Sequence, residues 1–394
     1  MTINSFMIML NMTFHERQVS TLKRRYDYDV LRVISMLGVI YLHTVSGSLR
    51  NLDCSAVWTF SNIFVAIATP AVPLFFMMSG ALLLRDEKNE SLNILFRRRL
   101  PKIFIPLCAW TGLILIYYIV SGNAPKALST IQNILNTPAT VPYWFLYALI
   151  PMYLLSPMLK KMADHLTMAH WHYMMGLWVV CTLGLYTARS FAPDALDPIF
   201  TEHWTLNINA VGGYLGYFLL GSYLERLEKI PPKKVLISVI VLMLAVSILG
   251  TQWDTYTHMA YSDRFTNYLT LFTFVLSAAI FLLAKSCLQN KEARGKILPL
   301  LSGISFCVYL VHPLVLTVAS RIWSRFTGLS DPVTILQQIV LYLCVALACI
   351  VIAFILASIK PLCYLFTGQT FSTACKSCNL FALISNPNKE RGHK

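Results

Sequence analysis

Charged residues are scarce in this chain of 394 residues. They make up 13% of the sequence, about half the share found in a typical soluble domain. Hydrophobic residues account for 56%, and apolar runs of about twenty residues, long enough to cross a bilayer as helices, recur along the chain. A soluble globular enzyme is therefore excluded. Disorder is excluded as well, because 22 Phe, 19 Tyr and 8 Trp are too many for a chain that buries no apolar surface. The sequence predicts an all-α, polytopic integral membrane protein.

The placement and spacing of the cysteines indicate neither a disulfide framework nor a metal site. Most of the ten cysteines lie within or beside apolar segments, where cysteine behaves as a small hydrophobic residue. Cys375 and Cys378 form one CxxC motif, but a structural zinc site needs four ligands and no second pair is nearby. We therefore expect no bound metal and no disulfide scaffold.

The N-terminus lacks the features of a cleavable signal peptide. Its short apolar run, Phe6 to Leu10, precedes the positive cluster instead of following it, and no small-residue cleavage site is present. We expect residues 1–26 to form a cytoplasmic tail, residues 27–360 a transmembrane domain, and residues 361–394 a second cytoplasmic tail.

The apolar runs predict about ten transmembrane helices, at 27–49, 58–84, 103–121, 142–159, 168–188, 205–224, 235–250, 265–284, 298–318 and 334–359. Their orientation follows from the Lys and Arg residues in the connections. With the N-terminus inside, 25 of the 32 Lys and Arg fall on the cytoplasmic side and six on the outer side, while Arg32 lies in the first span. The bias predicts that both termini are cytoplasmic in a multi-pass protein of the cell (inner or cytoplasmic) membrane. It also explains the net charge of +14 without any nucleic-acid partner.

The first span contains three ionisable residues, Asp29, Arg32 and His43. Such residues are costly in a membrane, so each is a functional candidate. Asp29 and Arg32 are three positions apart, which is close enough for a pair. Arg32 and His43 are eleven positions apart, so they project within about 20° of each other and lie about 16 Å apart along the helix.

This separation suggests coenzyme A as a ligand, since it joins an anionic nucleotide to a pantetheine arm of similar length. Arg32 and the basic residues Arg98, Arg99 and Lys102 could bind the phosphates. The thioester would then reach His43, whose imidazole suits general-base removal of a proton from an acceptor hydroxyl. The first span alone equally allows a structural His43, hydrogen-bonded between helices, and an Arg32 that extends to the interface.

Later spans add further motifs to Arg32 and His43 (R-x10-H). In chain order they are Phe75, Phe76, Ser79 and Gly80 (FFxxSG), Trp144, Phe145 and Leu146 (WFL), and Tyr309, Leu310, His312 and Pro313 (YLxHP). Taken together in this order, these motifs resemble the acyltransferase 3 family of multi-pass membrane O-acyltransferases. The resemblance covers most of residues 26–360.

The resemblance implies about ten core helices, an acetyl-CoA donor taken from the cytoplasm, and O-acetylation of a glycan or a lipid-linked sugar. It also implies that His43 is essential for transfer and that Arg32 is linked to the donor. The family loop often reads R-x-x-R, whereas this chain has Arg99-Leu-Pro-Lys102. Lysine keeps the charge but loses the bidentate geometry of arginine, so Lys102 is a weaker donor-binding candidate than Arg99.

His312 is a second catalytic candidate. Its span runs in the same direction as the first, so His312 and His43 are expected at similar depth. Pro313 follows directly, which also fits a purely structural kink. Trp58 and Trp204, near span ends, are interpreted as part of an interfacial aromatic belt and not as a sugar platform.

The leading hypothesis is an O-acyltransferase with His43 as general base or acyl relay. A transporter or flippase for a polysaccharide or lipid-linked sugar is the alternative, because a polar cavity lined by Arg32, His43 and His312 could serve it as well. The absence of visible inverted halves disfavours that alternative. An inactive sensory or scaffold relative is a third hypothesis, which the intact R-x10-H pattern disfavours.

Overall fold

The computed structural model describes residues 25–50, 52, 56–193, 212–292 and 295–368. All regular structure in these ranges is helical, which confirms the predicted all-α class. Trp204, Cys375 and Cys378 lie outside the described residues.

Helices in the first part of the chain are α1 Tyr26–Thr44, α2 Ser46–Arg50, α3 Ala56–Ala68, α4 Ala71–Leu83, α5 Leu92–Ile94, α6 Pro101–Val120 and α7 Ala124–Gln132. Those that follow are α8 Trp144–His165, α9 Met168–Trp178, α10 Leu185–Phe191, α11 Leu215–Arg226, α12 Lys233–His258, α13 Leu271–Leu288, α14 Ile297–Thr327, α15 Ile335–Ser358 and α16 Lys360–Thr367. The π-helical turns Leu95–Arg99 and Val179–Gly184 join α5 to α6 and α9 to α10, and the 3₁₀ turns Glu87–Glu90 and Val141–Tyr143 precede α5 and α8.

Seven helical stretches within the described residues are long and apolar enough to cross a membrane. They are Ala56–Leu83, Leu92–Val120, Val141–His165, Lys233–His258, Leu271–Leu288, Ile297–Thr327 and Ile335–Ser358, and each overlaps a predicted span. The chain is therefore a polytopic membrane protein, as predicted, while the count of ten spans and their orientation stay predictions.

The other three predicted spans differ from these seven for specific reasons. Helix α1 has 19 residues but carries three charged ones, Asp27, Asp29 and Arg32. The span at 168–188 falls on α9 and α10, and two of the first five residues of α9 are histidines. The span at 205–224 overlaps α11, but its first part lies outside the described residues.

Helices α4 and α11 pack with their backbones in direct contact at two glycines. A Cβ atom on Gly80 would lie 1.7 Å from the carbonyl oxygen of Phe218, and one on Gly221 would lie 1.9 Å from that of Met77. Small residues at membrane helix interfaces allow this close approach. The contact fixes the position of the FFxxSG segment, and thus of Phe75 and Phe76.

Charged groups anchor the first turn of α1. Ser302 on α14 donates a 2.6 Å hydrogen bond to Asp29, and an Arg32 nitrogen lies 3.9 Å from the same carboxylate, as the sequence predicted. Arg25 pairs with Asp27 at 2.5 Å and with Glu225 at 2.6 Å, which ties the start of α1 to the end of α11.

The position of Trp58 contradicts the prediction that this residue belongs to an interfacial aromatic belt. Its side chain is 1% exposed, and its indole nitrogen donates a 3.2 Å hydrogen bond to the carbonyl oxygen of Leu49. The residue packs in the core with Tyr41 and Val45. The interpretation of Trp58 as an interfacial belt residue is wrong, because its neighbours on α1 and α2 cover the ring.

Candidate active site

A cavity of about 580 Å³ opens where the four predicted donor-binding residues meet. Arg32, Arg98, Arg99 and Lys102 all line it, together with Lys88. They come from the predicted cytoplasmic ends of their elements. The structure therefore brings together the basic residues that the sequence proposed, around one opening that suits an anionic ligand.

A π-helical turn presents two of these side chains. At Leu95–Arg99 the backbone N–H of Leu100 donates a hydrogen bond to the carbonyl oxygen of Leu95, five positions earlier. This turn therefore contains one residue more than an α-helical turn. Pro101 follows as the first residue of α6, a position where its missing N–H costs little. Such π turns occur frequently at functional sites. Here the turn carries Arg98 and Arg99 along the cavity wall.

One carboxylate, that of Asp86, also lines the cavity. Arg99 donates to one oxygen of Asp86 at 2.5 Å, and the backbone nitrogen of Lys88 donates to the other at 3.0 Å. The carboxylate therefore orients Arg99 while adding negative charge to a basic opening. The sequence motifs did not include Asp86 or Lys88, because neither belongs to a recognisable spacing.

The cavity wall becomes apolar with depth. Phe75, Phe145 and Tyr309 line its inner part, and Ser79 adds a hydroxyl. A charged mouth with an apolar interior fits a ligand that has an anionic head and a less polar arm. Within the described residues, no group of three or more His, Cys, Asp or Glu could hold a metal ion.

Part of the predicted C-terminal tail belongs to this wall. Helix α16 packs against α6, and Thr367 and Gly368 line the cavity. Gly368 has a φ of +74°, and a Cβ atom there would lie 2.6 Å from the carbonyl oxygen of Lys102. The sequence offered no signal for this contact beyond a short apolar run after the last predicted span.

His43 and His312 are neighbours, with ring centroids 5.3 Å apart. The Nδ1 atom of His312 lies 2.5 Å from the carbonyl oxygen of Tyr309. Because a carbonyl oxygen only accepts, Nδ1 carries the proton and Nε2 keeps its lone pair. His312 is 1% exposed, and its Nε2 has no hydrogen-bond partner among the described residues. The His43–His312 pair thus holds a buried proton acceptor beside a second imidazole.

Tyr309 connects the cavity to this pair. Its ring lines the cavity and lies 5.6 Å, between centroids, from that of His312. Its hydroxyl donates to the carbonyl oxygen of Pro142, which holds the ring in place. Tyr309 and His312 are one helical turn apart on α14, about 5 Å along the axis. The pair therefore lies one turn beyond the inner end of the cavity.

Comparison with known proteins gives two findings. A family model for an acyltransferase domain, that of acyltransferase 3, matches residues 25–358. Two proteins of Staphylococcus epidermidis, each named probable poly-beta-1,6-N-acetyl-D-glucosamine export protein, are 31% identical to this chain over 132 residues. That match covers 31% of this chain, and it spans only 35% of the length of each of these curated relatives. No solved structure matches the chain.

Proposed function

The chain belongs to the acyltransferase 3 family, and from this premise we propose that it is a membrane O-acetyltransferase. It takes acetyl-CoA from the cytoplasm and acetylates a hydroxyl of a cell-surface polysaccharide or lipid-linked sugar. The observation that supports this most directly is the His43–His312 pair, one turn beyond the end of a cavity with a basic mouth.

The cavity suits the donor in charge and in size. Arg32, Arg98 and Arg99 offer guanidinium groups that bind phosphate oxygens in pairs, and Lys102 adds a point charge. The pantetheine arm follows the apolar wall past Phe145. A volume of about 580 Å³ falls within the usual range of small-molecule and cofactor sites.

Two routes fit the His43–His312 pair. In direct transfer, His43 removes the proton of the acceptor hydroxyl as its oxygen attacks the thioester carbonyl, and CoA leaves as the thiol after taking that proton. In a relay, a ring nitrogen of His43 attacks the thioester carbonyl, the proton on its other nitrogen passes to the lone pair on Nε2 of His312, and CoA leaves as the thiolate. His312 then gives this proton to the thiolate. The acceptor oxygen attacks the acetyl-imidazole, and the proton of the acceptor hydroxyl returns to His43 as the imidazole leaves.

The proposal includes the predicted topology of ten spans, with residues 1–26 and 361–394 as cytoplasmic tails in the cell membrane. The distribution of Lys and Arg supports it, since 25 of 32 fall on one side. The lipid bilayer, the acyl-CoA donor and the acceptor glycan are then the partners of the chain.

The decisive test is acetyl transfer by the purified protein from radiolabelled acetyl-CoA. We expect His43→Ala to lower turnover by at least about a hundredfold, the usual contribution of general-base catalysis, while acetyl-CoA binding is kept. Arg32→Ala should weaken donor binding instead. His165→Ala is the control, because His165 is exposed on α8 and away from the cavity. Full activity of the His43→Ala protein would refute the mechanism.

The name of the two Staphylococcus epidermidis relatives favours a second candidate, an exporter of polysaccharide or lipid-linked sugar. An exporter would move its cargo without consuming acetyl-CoA. Export into sealed vesicles that continues without acetyl-CoA, and is unchanged by His43→Ala, would establish this alternative. If export stops without acetyl-CoA and also stops in the His43→Ala protein, then export of the sugar depends on its acetylation.

A further inference from the structure

Three aromatic rings meet beyond the inner wall of the cavity. Trp144 begins α8, Tyr214 precedes α11 and Tyr268 lies just before α13. The Trp144 ring centroid lies 4.8 Å from that of Tyr214 and 5.8 Å from that of Tyr268. The ring planes of Trp144 and Tyr268 are inclined at 26° to each other. All three side chains are half-buried. We name these three residues the outer aromatic group.

The polar atoms of this group distinguish it from the packed rings next to it. The neighbouring rings of Tyr143, Trp178 and Tyr217 are fully buried, and each donates a hydrogen bond to a backbone carbonyl. By contrast, the indole N–H of Trp144 and the hydroxyls of Tyr214 and Tyr268 donate no hydrogen bond to any described residue. Buried Tyr and Trp usually find such partners, so partly exposed rings without them are available to a ligand.

We propose that the outer aromatic group is the acceptor subsite and binds a hexopyranose ring of the glycan. This inference rests on the proposed function. One face of a pyranose ring carries C–H groups, which pack on the part of the half-buried Trp144 ring that Tyr214 and Tyr268 leave uncovered. The sugar hydroxyls then accept from the indole N–H and exchange hydrogen bonds with the two phenols. The exposed Asp263 carboxylate, which accepts from Asn267 at 3.0 Å, precedes Tyr268 and offers a further acceptor.

The group is connected to the His43–His312 pair through packed rings. Phe145 follows Trp144, and the centroid of its ring lies 5.7 Å from that of Tyr309, which in turn lies 5.6 Å from that of His312. A sugar on Trp144 is therefore separated from the imidazoles by two intervening rings, those of Phe145 and Tyr309. It follows that the acceptor is longer than one sugar unit, because one unit is bound on Trp144 while another unit of the same glycan presents its hydroxyl to the histidines.

The test is saturation-transfer NMR on the purified full chain with tetrasaccharides of N-acetylglucosamine, glucose and galactose. We expect at least one to bind, its monosaccharide to bind much more weakly, and Trp144→Ala to weaken tetrasaccharide binding about tenfold. Trp144→Phe keeps a ring and should lose less. The matched control is Trp253→Ala, because Trp253 is 62% exposed on α12. Acetyl-CoA affinity should be unchanged in all three variants.

Absence of binding by every tetrasaccharide, or wild-type binding by the Trp144→Ala protein, would overturn the proposal. If Trp144→Ala does not fold, as judged by acetyl-CoA binding, Tyr268→Ala replaces it with the same expectation. If only the subsite proposal is wrong, acetyl-CoA still binds and His43→Ala still lowers turnover. If the proposed function is wrong, neither of these two results is observed, while sugar still binds at Trp144.

Discussion

At the scale of single residues, Asp86 is the acidic side chain on the wall of a basic cavity. We expect Asp86→Asn to tighten acetyl-CoA binding about two- to fivefold, because it removes a charge that repels phosphate at a partly solvated site. Asparagine keeps an oxygen for Arg99, so turnover should be unchanged. The measurement is donor affinity at low and high salt, with the larger gain expected at low salt.

The control for this prediction is Glu87→Gln, which removes the same charge from an exposed neighbour that does not line the cavity. Equal effects of the two substitutions would indicate general electrostatics and not a local role. Weaker binding by the Asp86→Asn protein would mean that the carboxylate mainly orients Arg99.

The sequence predicted the basic residues of the site but not all of their surroundings. Arg32 and the Arg98–Lys102 segment were found because costly charges and a dense cluster stand out in an apolar chain. The proximity of His43 and His312 could only be suggested, since helix neighbours are set by packing between distant segments. Asp86 and Thr367 were missed because a single polar residue in a connection carries no periodic signal.

At the scale of helices, the contact between α4 and α11 predicts a large effect of one methyl group. Gly80→Ala would place a carbon 1.7 Å from the Phe218 carbonyl oxygen, and backbone on both sides must move to relieve this overlap. We expect a destabilisation of about 2–3 kcal/mol, the upper range for overpacking. The measurement is the Tm of the purified protein in detergent.

Gly112→Ala on α6 is the matched control. A Cβ atom there has no described atom within 4 Å, so the change should leave Tm equal or slightly raised by the better helix propensity of alanine. An unchanged Tm for Gly80→Ala would show that the two helices separate easily.

Lys285 shows how a charge within a span can serve the fold alone. Its ammonium group is buried and donates to the carbonyl oxygens of Leu224, Glu225 and Leu227 at the end of α11. These carbonyls lack helical partners, so the lysine replaces a cap that water would otherwise provide. Sequence reasoning cannot separate such a lysine from a functional one, because the carbonyls it meets are about sixty positions away.

At the scale of the whole molecule, the orientation is a prediction that two insertions can check. We expect an epitope tag after Gly328, between α14 and α15, to be accessible to antibody in sealed right-side-out vesicles, because the charge bias places this connection outside. A tag after Asn290, between α13 and α14, should become accessible only after permeabilisation. The opposite pattern would reverse the proposed entry side of acetyl-CoA.

The packed rings of Phe76, Phe145 and Tyr309 have an electrical consequence. A cell membrane holds a voltage, and each elementary charge that crosses it exchanges about 2.3 kcal/mol per 100 mV. Phe76 and Phe145 lie 4.5 Å apart between centroids, and both, like Tyr309, are buried. A water-filled passage through this layer would let ions discharge the membrane, and a polymer exporter would have to open it. A transferase keeps the layer closed: the acetyl group changes its covalent partner at the histidines, and the membrane remains an insulator while it does so.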